Sequence, residues 1–204
     1  MGQIMLAQHG DGSLDHQTAV GMYRLRHQVF HDRLGWEVTS DNGMEHDEFD
    51  RANPVYVLVR DDDDEIVGCW RLLPTTGPYM LKDTFPQLLH GQPAPQQPDI
   101  WELSRFAVTA PKHESASYGF SATPIQMMQT LYRFAQHNGI VRYVTVTTVA
   151  VERLIRKVGV NLSRLGQPIK IGRVLTVACA MEIDEITEFA LFANLPEHAS
   201  RLAA

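Results

Sequence analysis

Short runs of apolar residues, set between stretches where apolar residues recur every three or four positions, divide this chain into strands and helices. Gln3–Gln8 opens as a short strand. Past the turn signal Gly10-Asp11-Gly12, Met22, Leu25 and Val29 mark one face of a helix predicted over Asp15–Leu34. Arg26 and Phe30, four apart, share another face of it. Gly35–Pro54 is acidic and lacks a period, which predicts a functional or mobile loop. Val55–Asp61 and Glu65–Pro74 are strands joined by Asp61–Asp64, an acidic run expected to form a solvated hairpin turn and not a metal site. Gly77–Pro98 is rich in Pro and Gln, with room for a short helix near Leu81–Leu89. Next come a strand at Ile100–Val108 and an amphipathic helix at Pro124–His137, stopped by Asn138-Gly139. A buried strand at Arg142–Val149 leads to a helix at Val151–Val158 that ends at Gly159. A strand over Val174–Ile183 and a short helix over Glu185–Asn194 complete the order.

Strands and helices mixed in this way predict an α/β fold, a central sheet covered by helices in an α-β-α sandwich. The sequence shows no internal repeat and no linker between two cores, so residues 1–204 are expected to form one domain. At 44% hydrophobic content, 204 residues can bury a proper core. The formal net charge is −6 without a basic tract, which argues against duplex nucleic acid as a partner. Cys69 and Cys179 lie in apolar strand surroundings and are expected to be buried reduced thiols. No signal-peptide pattern and no apolar run of membrane-spanning length is present, so a soluble cytoplasmic protein is expected.

Charge and aromaticity change the picture most in the first half of the chain. Arg26 and Phe30 are followed by Trp36, then by Asp47 and Asp50 three apart, then by Arg71 on a strand and Glu102-Leu-Ser-Arg105 on another. Any one of these alone is a surface charge or a core aromatic. Together the eight positions resemble LuxI-type acyl-homoserine lactone synthases, from about the first helix into the second half of the chain. The resemblance implies the acyltransferase fold of the GCN5-related N-acetyltransferases, with a central mixed sheet. It implies two substrates: S-adenosylmethionine, and an acyl group on acyl carrier protein or, in some members, on coenzyme A. No cofactor and no metal is expected beyond these. In this reading Glu102 is the proton acceptor. Arg26, Phe30, Trp36, Asp47, Asp50 and Arg71 form the S-adenosylmethionine region, with Asp50 and Arg71 first of all an ion-pair network ordering the loop. Arg105 joins Glu102 only if a bulge falls between them, since strand residues three apart face opposite ways; otherwise it is a brace.

On Arg142–Val149, alternation puts Tyr143, Thr145 and Thr147 on one side. Thr145 matches the family position where a hydroxyl accompanies 3-oxo-acyl chains, although threonine also simply favours strands. Met127, Met128 and Leu131 are candidates for an acyl tunnel wall or for ordinary core. Arg153, Arg156 and Lys157 can dock an acidic carrier protein or serve as a solvated helix face. His27 and His31 have ligand spacing but no evident third ligand, and are expected to be surface or packing residues. Two rivals stand beside the synthase. An acetyl-coenzyme-A N-acetyltransferase would need a glycine-rich pyrophosphate loop, and the segment Phe106-Ala-Val-Thr-Ala-Pro-Lys-His-Glu114 lacks a glycine pair. A silent binding module is disfavoured by an intact Glu102.

Overall fold

The computed structural model describes residues 2–109 and 122–193. In chain order these form β1 (Gln3–Ala7), α1 (His16–Arg26), β2 (Ser40–Asp41), β3 (Met44–Glu45), β4 (Val55–Arg60), β5 (Ile66–Pro74) and α2 (Met80–Asp83). There follow β6 (Ile100–Val108), α3 (Ala122–Asn138), β7 (Arg142–Thr148), α4 (Val149–Val158), β8 (Leu162–Arg164), β9 (Ile169–Ile171), β10 (Val174–Glu182) and α5 (Glu185–Phe192). The main sheet runs β1-β4-β5-β6-β7-β10-β8, with β9 also paired to β10. Among the described residues only the β6–β7 pair is parallel, joined across α3 as parallel neighbours require.

Strand alternation splits the core into layers. On β4, Val57 and Val59 pack with Met127, Leu131 and Tyr132 of α3, whereas Tyr56 and Leu58 pack with Met22 and Leu25 of α1. Leu73, Val144 and Ala178 carry the second face onward to Tyr79, Leu81 and Leu88. Helices therefore cover both sides of a mixed sheet, as expected. Each fully buried side chain of this kind contributes about 1.5–3 kcal/mol.

Asp15 caps α1 by accepting from the Thr18 amide at 2.8 Å, as Asp at a helix start should. The single helix expected to Leu34 instead continues past Arg26 as a π-helix over His27–Arg33. Its wider turn keeps both Val29 and Phe30 buried. The aperiodic loop holds more order than its pattern predicts. It contains the small β2–β3 hairpin and a 3₁₀ turn over Glu48–Ala52, in which Asp47 and Asp50 form a reciprocal capping box. The helix expected near Leu81–Leu89 is two pieces, α2 and a 3₁₀ turn at Pro86–Leu89. β8 and β9 were not predicted; three residues are too few for alternation to declare itself. Asp61 closes the acidic turn by accepting from the amides of Asp63 and Glu65. Gly139 and Gly159 end α3 and α4 in the left-handed region, as those stops require. Asn194, the expected last residue of α5, lies outside the described residues. Among the described residues, no helix is long and apolar enough to cross a membrane.

Candidate active site

The end of α1, β5, β6 and the segment from β3 to the 3₁₀ turn bring together three arginines and three acids. Arg26 and Arg71 are fully buried, as is Glu45. Such charges tolerate burial only when paired and hydrogen-bonded. Asp50 Oδ1 accepts from Arg26 Nη1 and Arg71 Nη1, each at 2.8 Å, and from the Tyr56 hydroxyl at 2.7 Å. Its Oδ2 accepts from the Asp47 amide at 2.9 Å, so one carboxylate both caps the turn and anchors the network. Burial alone would raise its pKa, but the Arg26 and Arg71 guanidiniums hold it well below the usual carboxylate range. Arg71 reaches Asp47 through Nη1 and Nη2, and its Nε donates to Ser104 Oγ at 3.1 Å. Arg26 Nε pairs with Glu45, which also takes Arg105 Nε at 3.1 Å.

The conditional bulge is present. Cys69 pairs with Ala107 but Arg71 pairs with Ser104, so Arg105 and Phe106 together oppose Trp70. Arg105 has φ +56°, a left-handed conformation rare for a long side chain. The kink lets its guanidinium reach Asp47 Oδ2 at 2.7 Å as well as Glu45. It also lies 5.5 Å over the Phe30 ring, which stacks on Trp36 at 5.4 Å. Arg105 therefore shares the site.

Glu102 is fully buried next to this cluster. Its two oxygens accept from the Met80 amide at 2.9 Å and the Leu81 amide at 2.7 Å, at the start of α2. Burial pushes its carboxyl up to about 7, against the lowering effect of those amides. Met80 closes the circle: its sulfur lies 3.2 Å from Arg105 Nη1.

The opposite face of β5 and β6 is apolar. Trp70, Leu103, Phe106, Met128, Thr145 and Ile155 are among the residues lining a narrow cavity between the sheet and α3–α4. Its volume is small, about 30 Å³. Of the residues proposed for the acyl chain, Met128 and Thr145 line it. Met127 and Leu131, grouped with Met128 on the tunnel wall, are fully buried in the core and do not line it. Their helical offset turns them onto the sheet.

Arg153, Arg156 and Lys157 are exposed on α4. Arg156 is already tied to the buried Glu152 at 2.8 Å, which Arg164 of β8 also clamps at 2.6 Å. A third potential ligand does join the histidines: Asp32 Oδ1 lies 2.9 Å from His31 Nδ1 and 3.5 Å from His27 Nε2. The two rings are stacked at 4.6 Å and 11°, so their in-plane lone pairs run side by side and do not converge on one point. Cys69 and Cys179 are free thiols in separate cores, both pushed up to about 12 by burial.

Sequence reasoning missed Glu45, Tyr56 and Ser104 in the network and Trp70 in the cavity. Glu45 lies two residues before Asp47, an extension of the acidic spacing that was available to be read. Tyr56, Ser104 and Trp70 give no such signal, since each is an ordinary strand residue until the register is known.

A mixed sheet with a bulged strand thus separates a buried ion network from a largely apolar cavity. Residues 12–191 match the autoinducer synthase family, and the chain belongs to it. The acyl-homoserine-lactone synthase of Pseudomonas aeruginosa is 46% identical over 176 residues, 85% of this chain and 87% of that one. The crystal structure of the synthase LasI superposes with a TM-score of 0.85 at 41% identity, covering 95% of both chains. A coenzyme-A-dependent synthase, BjaI, solved with S-adenosylmethionine and isopentyl-CoA, gives 0.83 at 26% identity over 95% of this chain and 89% of that one. A putative N-acetyltransferase from Lactobacillus plantarum gives 0.59 at 14% identity, covering 90% of this chain and 99% of that one, and shares the fold alone. The enzyme class is thus acyl-homoserine-lactone synthase, on the fold of the GCN5-related N-acetyltransferases.

Proposed function

We propose that this enzyme makes N-acyl-L-homoserine lactone from S-adenosylmethionine and an acyl group carried on acyl carrier protein, releasing methylthioadenosine. The observation that carries this reading is the bulge at Arg105, which draws Glu102, the ion network and the Phe30–Trp36 stack around one position with the apolar cavity behind it. The α-amine of S-adenosylmethionine attacks the thioester carbonyl, its proton passes to Glu102 through a water, and Glu102 returns that proton to the departing thiolate so that the carrier leaves as its thiol. A carboxyl near 7 suits that transfer at neutral pH. The substrate carboxylate then attacks the γ-carbon, the carbon–sulfur bond breaks, and methylthioadenosine departs. Asp47, whose side chain at 10% exposure is the most accessible of the network acids, faces the substrate's positive charge. Glu45, Asp50, Arg26 and Arg71 hold that surface in place, while Phe30 and Trp36 offer flat faces to adenine or the sulfonium. The enzyme is proposed to act in the cytoplasm.

Two features favour the carrier protein over coenzyme A. The sequence after Arg105 lacks a glycine pair for pyrophosphate, and Arg153 and Lys157 present exposed positive charge to an acidic partner. Incubation with S-adenosylmethionine and either acyl-carrier-protein or acyl-CoA, followed by mass spectrometry, decides the matter. Equal amounts of lactone and methylthioadenosine are expected, faster from the carrier and increasingly slowed by added salt. Acyl transfer without methylthioadenosine would point to the N-acetyltransferase alternative.

A further inference from the structure

Among the described residues, Trp70 carries a polar atom that no neighbour uses. Its side chain is 95% buried, at 5% exposure, and lines the apolar cavity. Its indole Nε1–H has no hydrogen-bond partner among the described residues. Indole nitrogen only donates, and a buried donor without an acceptor costs stability, so such groups are rare unless a ligand completes them. Trp101 shows the usual solution, donating to the Pro98 carbonyl at 3.2 Å. The bulge gives Trp70 its placement: Cys69 before it packs toward α1 and Arg71 after it enters the ion network. Trp70 itself stands opposite Arg105–Phe106, its ring 4.6 Å from that of Phe106. Thr145 lines the same cavity at 8% exposure.

We propose that Trp70 is a further specificity-determining residue, its indole N–H donating to an oxygen on the acyl chain bound in this cavity. The substrate class is therefore acyl thioesters oxygenated near the carbonyl, the 3-oxo chain above all. A keto oxygen has two lone pairs and takes both the Trp70 N–H and the Thr145 hydroxyl. An unsubstituted chain leaves the indole unpaired in a dry site, which is how a polar pocket rejects an apolar analogue. The proposal rests on the reading of this cavity as the acyl site.

The test compares 3-oxo-acyl and unsubstituted acyl donors of equal length on the wild-type enzyme and on Trp70→Phe, which keeps an aromatic ring and deletes the donor. The ratio of kcat/KM for the two donors should fall about three- to tenfold, as loss of one neutral hydrogen bond implies. An unchanged ratio, an equal loss on both donors, or a wild-type enzyme that prefers unsubstituted chains overturns the proposal. A binding measurement keeps the outcome separate from turnover and from the fate of the variant. The three tryptophans give three indole signals in a ¹⁵N spectrum. Trp36→Phe and Trp101→Phe identify the remaining one as that of Trp70. Titrating wild-type enzyme with 3-oxo-acyl-homoserine lactone should move the Trp70 signal downfield, and the unsubstituted lactone should not. If no wild-type donor yields lactone, the parent reading fails; identical Trp70 shifts with both lactones sink this one.

Discussion

The two faces of β5 and β6 solve opposite problems with adjacent residues. On one side Arg71 and Ser104 join a network in which charges are buried and matched almost without exception. On the other, Trp70 and Leu103 border a cavity with little room and an unmatched donor. The first face satisfies nearly all its buried charge within the protein, Arg26 Nη2 excepted, while the second keeps an unmatched donor beside a cavity. A surface assembled beforehand orders its substrate without reorganising, whereas a narrow apolar slot must open around an acyl chain.

The sharpest way to break this contrast is at Glu102. Glu102→Gln should lower turnover by ~10²–10⁴-fold while leaving S-adenosylmethionine binding nearly intact, measured by calorimetry beside steady-state rates. The same variant tests the buried carboxyl thermodynamically. Its folded pKa of about 7 lies above the ordinary 4.5, so the native state keeps a proton that the unfolded chain has lost between those values. Stability from this residue therefore falls as pH rises through that window, by on the order of 3 kcal/mol, and the substitution should flatten that slope. Asp50 has the opposite sign: its contribution is present above the usual carboxylate range and is lost as pH falls.

Glu45→Ala comes next. It leaves Arg26 to Asp50 and Arg105 to Asp47, each short of one buried carboxylate, and should destabilise the fold by about 1–3 kcal/mol in urea unfolding. A cost within the range of an exposed ion pair would show that the network does not satisfy its charge within the protein. Asp50→Ala and Arg71→Ala each lose stability as well as activity, and a double-mutant cycle should show coupling of about 0.5–3 kcal/mol. Clean additivity would separate them. Thr145→Val has the smallest expected effect. It keeps shape, deletes the hydroxyl, and should cost about three- to tenfold on 3-oxo donors with little change on unsubstituted ones. Equal losses would assign Thr145 to packing.

Much of the charged face was legible because its residues are chemically expensive to bury and recur at fixed intervals. Arg26, Asp47, Asp50, Arg71 and Arg105 do meet in one network, and Glu102 reaches it through Met80. The three-residue step from Asp47 to Asp50 has a local cause, the capping box, that the sequence also contained. Glu45 escaped because an acid in an acidic loop reads as solvated until its partners are placed. The cavity face was less legible. Met127, Met128 and Leu131 are alike in type, and only the rotation of α3 against the sheet selects Met128. The strands β8 and β9 and the π-helical turn follow from tertiary contacts that no local pattern encodes.

The bulge at Arg105 has a further consequence, best stated as parity. Before it, the even-numbered Glu102 and Ser104 belong to the network side and the odd-numbered Leu103 to the α3 core. After it the assignment inverts: Phe106 and Val108 pack against the α3 core, and Ala107 against the α1 core. One continuous strand is thus written in two phases, with a single left-handed residue as the change of frame. Substitutions along β6 leave that frame intact. Flattening the bulge with every residue retained would exchange the faces of everything beyond it, whereas deleting the extra residue would leave a regular strand with those faces unchanged and take the Arg105 guanidinium out of the network.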